Sequence, residues 1–76
     1  MTMMTLDRYA KLARVRALIL QVINREPGLT YEQIGKRILQ RYGFLPRIGN
    51  RIRELRELGY VKTIEEKDGR LHVYPQ

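Results

Sequence analysis

The change of periodicity at Gly59 limits what this chain can fold into more than any other feature. Before it, the stretch F-L-P-R-I-G-N-R-I-R-E-L-R-E-L-G from Phe44 places Ile48, Ile52, Leu55 and Leu58 at i, i+4, i+7 and i+10, one apolar stripe of a helix. Pro46 stands where a first helical residue is favoured, and Gly59 where a left-handed C′ residue is favoured. After Gly59, residues 60–66 and 70–74 are rich in β-branched and aromatic side chains in rough alternation. Asp68-Gly69 between them signals a two-residue hairpin turn. A helix that runs directly into a hairpin must share its buried stripe with it, so an α+β fold, mainly α, is expected.

Upstream the pattern is helical. Met1–Thr5 is featureless and expected to fray. From Leu6 to about Arg25, Val15, Ile19, Val22 and Ile23, flanked by Leu12 and Leu18, form a broad core stripe. Leu6, Ala10, Ala13, Ala17 and Leu20 form a second, narrower one. Glu26-Pro27-Gly28 ends this helix. In Leu29-Thr30-Tyr31-Glu32-Gln33-Ile34, Thr30 and Gln33 have the spacing of a capping box, and Leu29 and Ile34 that of a hydrophobic staple. The second helix runs through Ile34 and Ile38 to about Arg41. Gly35 within it costs roughly 1 kcal/mol against alanine, which suggests close approach of a neighbouring helix. Gly43 is a natural C′ residue in the turn that follows. The order is therefore helix, helix, turn, helix, hairpin, in one unit spanning residues 1–76.

The chain has 15 Lys and Arg against 8 Asp and Glu, a formal net charge of +7 on 76 residues. So large an excess on so small a surface favours a polyanionic partner, nucleic acid before membrane. Cysteine is absent, which removes disulfides, thiol catalysis and thiolate metal sites. No stretch approaches a membrane span and the first residues lack a signal-peptide pattern; a cytoplasmic, nucleoid-associated location is expected, without secretion.

At about 100° per residue, Asn50 and Arg53 point most directly away from the apolar stripe of the third helix, with Arg47 and Glu54 beside them. Arginine and asparagine make bidentate contacts to guanine and adenine edges in the major groove, and Arg47 and Asn50 lie in the first turns. Arg51 falls near the apolar stripe, where its stem either packs against the second helix or reaches a partner. Lys36, Arg37 and Arg41 are placed to meet backbone phosphates. Lys67 and Arg70 flank the hairpin turn, with Lys62 on the first strand, and suit phosphates or a narrow minor groove; Glu65, Glu66 and Asp68 dilute that charge. A solvated face of Glu/Arg pairs is the competing account of the third helix.

A tight helix–turn–helix followed by Leu-x-x-Leu-Gly-Tyr-Val and a basic hairpin resembles the winged helix-turn-helix family, somewhat in the manner of LexA-type and MarR-type repressor domains. The likeness rests on Ile19–Ile23, Leu29-Thr30, Ile34-Gly35, Ile48, Ile52, Leu55, Gly59-Tyr60-Val61 and Asp68-Gly69-Arg70. It implies three helices followed by a β-hairpin wing, with the third helix, residues 46–58, in the major groove of double-stranded DNA and hairpin 61–74 as the wing. Sequence-preferring DNA binding by a transcriptional regulator is the expected function. The chain departs from the family pattern in a longer Arg37–Phe44 segment and in Leu45, where a polar cap residue is common.

Other chemistries have less behind them. His72 is a lone histidine, read as surface decoration. Glu65, Glu66 and Asp68 have no His or Cys partner in sequence, and no glycine-rich phosphate loop precedes a helix. Neither an enzyme nor any cofactor, metal or small-molecule ligand is expected. The rival is a winged helix that docks protein or structured RNA through the same basic face; an apolar patch there would favour docking, and none is evident in the sequence. A homodimer through the stripe Leu6, Ala10, Ala13, Ala17 and Leu20 is expected, against the alternative that Leu20 packs internally and the alanines reflect helix propensity.

Overall fold

The computed structural model describes residues 2–76, with side chains for residues 8–76. Met1 and the side chain of Leu6 lie outside the described residues. Three helices, α1 (Thr2–Arg25), α2 (Tyr31–Tyr42) and α3 (Ile48–Glu57), accompany three strands, β1 (Leu29–Thr30), β2 (Val61–Glu65) and β3 (Leu71–Pro75). The fold is α+β and mainly helical. The strands form one antiparallel sheet in the order β1-β3-β2, with Leu29 opposite Val73 and Thr30 opposite His72 on one side. On the other, Thr63 lies opposite Val73 and Val61 opposite Pro75.

Strand β1 is absent from the sequence expectation. Two residues carry no periodicity, and only β3, more than forty residues later, gives them a partner. The turn before it makes the pairing possible: Gly28, at φ +92°, donates its N–H to Val73 O at 2.8 Å. A Cβ there would stand 3.2 Å from the Tyr74 hydroxyl, so both the backbone sign and the space favour glycine.

Thr30 is at once the last residue of β1 and the cap of α2. Its hydroxyl accepts from Gln33 N–H at 3.2 Å, and the Gln33 side chain accepts from Thr30 N–H at 2.9 Å, the capping box expected. Gly43 closes α2 in the left-handed region at φ 75°, its N–H bonded to Leu39 O. Ten side chains from every helix and from β2 and β3 make one buried core: Val15, Ile19, Val22, Ile23, Ile34, Ile38, Ile52, Leu55, Val61 and Val73. Gly35 is buried as well. It is approached by Leu45 Cδ1 and Ile48 Cγ1, 3.2 and 3.5 Å from where its Cβ would be.

Three local expectations change. Helix α3 begins at Ile48 with Arg47 as its cap, leaving Pro46 in the connector. Helix α3 ends at Glu57, and Leu58, its cap residue, lies at the edge of the buried stripe and is 59% exposed. In the hairpin, no residue other than glycine takes a positive φ, which a two-residue Asp68-Gly69 turn of the primed type requires at both positions. Instead Gly69 N–H bonds to Glu66 O at 2.9 Å and Glu66 N–H to Arg70 O at 3.1 Å, a turn over 66–69 with Gly69 alone at φ +76°.

Candidate nucleic-acid interface

Helix α3 is held from behind by Ile52 and Leu55 and half-buried Ile48, which leaves the opposite side outward. Arg47 and Arg53 are exposed and Asn50 is half-buried. Among the described residues, the side chains of these three take part in no hydrogen bond and no ion pair. The first turn of α3 also lacks a side-chain cap, so its N–H groups are open to water or an anion.

Glu54, expected beside the outward residues, and Arg51, expected near the apolar stripe, are committed to each other. Arg51 Nε and a terminal nitrogen donate to both oxygens of Glu54, at 2.8 and 2.9 Å. Arg16 of α1 donates a further hydrogen bond to Glu54 Oε1 at 2.9 Å. The Arg16 hydrogen bond, with those of Arg51, holds the Glu54 carboxyl below its ordinary value of 4.5 against the opposing effect of partial burial. The Arg51 side chain is 16% exposed, so the reading in which its stem packs inward describes it better than a free contact group.

On α2, Arg37 is paired with Glu26 at 2.9 Å, and that hydrogen bond lowers the Glu26 pKa. Lys36 makes only a long, exposed i,i+4 contact with Glu32, 3.5 Å, of a kind that adds little to stability because water screens both charges. Glu32 is a meeting point. It approaches Arg70 of the hairpin at 3.9 Å and shares a cleft with Lys36, Pro46 and Ile48 at the start of α3. The base of α3, Lys36 and the hairpin arginine are thereby neighbours around one carboxylate. Lys67 is exposed beside Asp68 on the turn.

His72 differs most from its sequence reading. Its side chain is 13% exposed and both ring nitrogens face acceptors: Nδ1 lies 2.6 Å from Gly28 O and Nε2 2.8 Å from Asp68 Oδ2. A carbonyl and a carboxylate can both be satisfied only by a ring that donates from each nitrogen, the imidazolium. The Gly28 carbonyl first, then Asp68, accordingly raise its pKa above 6.5. Glu66 lies 3.4 Å from Nδ1 and accepts from the Tyr74 hydroxyl. The signal available in sequence was the turn acid Asp68 four residues before the histidine. Among the described residues no group of acidic, histidine or cysteine side chains is arranged to hold a metal ion.

Apolar side chains are exposed next to α3: Leu39 (49% exposed), Tyr42, Phe44 and Leu45 (65% exposed) lie at the end of α2 and in the connector, Leu39 and Leu45 lining one cleft and Phe44 another. On α1, Ala10, Ala13 and Ala17 are exposed, but Leu20 is half-buried against the core, which shortens the second stripe. Among the described residues no helix is long and apolar enough to cross a membrane. No family model matches the chain, and no curated protein or solved structure gives a significant match.

Proposed function

We propose that the chain is a winged helix that binds double-stranded DNA with sequence preference, as a transcriptional regulator. In this reading α3 enters the major groove and the β2–β3 hairpin is the wing. The observation that carries it is the division of labour on α3. Arg51 and Glu54 are tied down with Arg16, while exposed Arg47 and Arg53 and half-buried Asn50 have no partner among the described residues. Unpaired guanidinium and carboxamide groups on a rigidly backed helix are suited to base edges. Arg70 and Lys36 are exposed and held by Glu32 only at 3.9 and 3.5 Å, so both can turn from it to phosphates, and the uncapped start of α3 offers its N–H groups to another. The remaining paired face supplies stiffness.

Selection of binding sites from random duplex DNA tests the reading. An enriched motif is expected, and its disappearance with Asn50→Ala. No measurable duplex binding at low salt would overturn it. A protein-docking role is favoured by one observation, the exposed Leu39, Tyr42, Phe44 and Leu45; Leu39, Phe44 and Leu45 have no group that can bond a phosphate.

A further inference from the structure

A cleft of about 670 Å³ opens between the first half of α1 and the start of α3. Leu12, Phe44 and Pro46 form its apolar part, and Arg8, Lys11 and Arg47 stand around it. Among the described residues no carboxylate lines it. Arg51 also borders it, but its guanidinium is already matched by Glu54. Among the described residues Arg8, Lys11 and Arg47 have no acidic partner. This combination is absent from the second cleft across the connector, where Lys36 faces Glu32 of the same wall.

From this we propose that the cleft docks an acidic amphipathic helix of a partner protein, bulky apolar side chains seated on Leu12, Phe44 and Pro46 and carboxylates set against Arg8, Lys11 and Arg47. The chemistry selects this occupant over two others. A phosphodiester chain would satisfy the cations but leave the apolar floor exposed. No helix of a second copy supplies an acidic face: α1 carries five cations against one carboxylate, α2 three against one, and α3 three against two, and the remaining cluster, Glu65, Glu66 and Asp68, lies on the hairpin turn rather than on a helix. A helix laid in a groove draws affinity from a few apolar anchors and specificity from the surrounding charge. Arg47 belongs both to this rim and to the DNA-facing side of α3, so an occupied cleft competes with DNA for one side chain.

The test uses the whole chain and a fluorescein-labelled synthetic helical peptide, with Leu and Phe on one face and Glu on the other, in fluorescence anisotropy. Two control peptides replace Glu by Lys, or Leu and Phe by Glu. Binding of the amphipathic acidic peptide is expected, with both controls weaker by about tenfold or more. The exposed pair Arg8→Glu/Lys11→Glu is expected to weaken binding by a similar factor while circular dichroism and the melting temperature stay unchanged. Amide shifts of the labelled protein should move at Leu12 and Phe44. Equal binding of the all-Glu control, insensitivity to the double reversal, or shifts confined to Leu39, Leu45 and Ile48 of the second cleft would each overturn the proposal. So would shifts at Leu12 and Phe44 with duplex DNA but none with peptide, which would give the cleft to nucleic acid. None of these measurements depends on Asn50 or on a DNA motif, so this proposal and the DNA reading fail separately.

Discussion

Arg16 Nε and Glu54 Oε1 are 2.9 Å apart although 38 residues separate them in the chain. Through this contact the middle of α1 fixes the outer edge of α3, and the same carboxylate holds Arg51. Glu54→Gln keeps the shape but removes the charge that two half-buried guanidiniums share. It is expected to lower stability in urea by about 1–2 kcal/mol. A double-mutant cycle with Arg16→Ala should show coupling. Removing the negative charge should at the same time strengthen binding to random DNA at low salt, since it adds to an existing +7.

The His72 bonds predict a pH dependence with a definite sign. Its folded pKa is raised by the Gly28 carbonyl and Asp68. The stability it adds is full below its ordinary value of 6.5 and is lost as pH rises through the higher folded value. Asp68 acts in the opposite sense. Its pKa is lowered by the Arg70 backbone N–H and then His72, so its contribution holds above 3.8 and disappears as pH falls through the lower folded value. Glu66 also faces the ring. Melting temperatures of wild type should fall from mildly acidic to alkaline pH, and His72→Gln should flatten that fall. The chain has one histidine, so its NMR titration reads the shift without overlap.

On a selected duplex site, Asn50→Ala should cost about 1–3 kcal/mol and little on random DNA. Equal losses on both would mean that Asn50 reads no base.

Replacing both Lys67 and Arg70 by alanine should weaken binding to every sequence alike. The slope of log affinity against log salt should flatten by roughly one unit for each phosphate that is no longer neutralised. An unchanged slope would leave the hairpin a structural clasp.

Sedimentation equilibrium should detect a dimer through the exposed Ala10, Ala13 and Ala17 of α1, and Ala13→Glu should abolish it without unfolding the chain. A wild type that stays monomeric both free and on a palindromic duplex would exclude it.

Features set by neighbouring residues were legible in the sequence. The Thr30–Gln33 box and the left-handed Gly43 and Gly59 depend on interactions within a turn, and all are present. The core stripe of α1 follows from periodicity alone and is buried. What escaped depends on distant partners or on where an element stops. Leu58 keeps helical backbone and its hydrogen bond to Glu54 O, but at about 100° per residue it stands roughly 120° from Ile52, at the edge of the stripe, and is exposed. Glu54 is indistinguishable in sequence from a solvent-facing acid until α1 brings Arg16 beside it. His72 is clamped between two acceptors only because β1 carries the Gly28 carbonyl to β3. The exposed position of Arg53 needed only the helical angle, whereas Arg47 stands before the first helical residue and Asn50 is half-buried.

Strand β1 has a bearing on how the chain comes apart. Its two residues join the end of α1 to the start of α2, and their only strand partner is β3, which is also paired to β2. Local opening that frees the hairpin from β1 would therefore strip Thr30 of its alignment and loosen the first turn of α2 as well. Hydrogen exchange should report this as a single opening event. The amides of Gly28, Gln33 and Val73 are expected to share one exchange free energy, despite lying at two ends of the sequence.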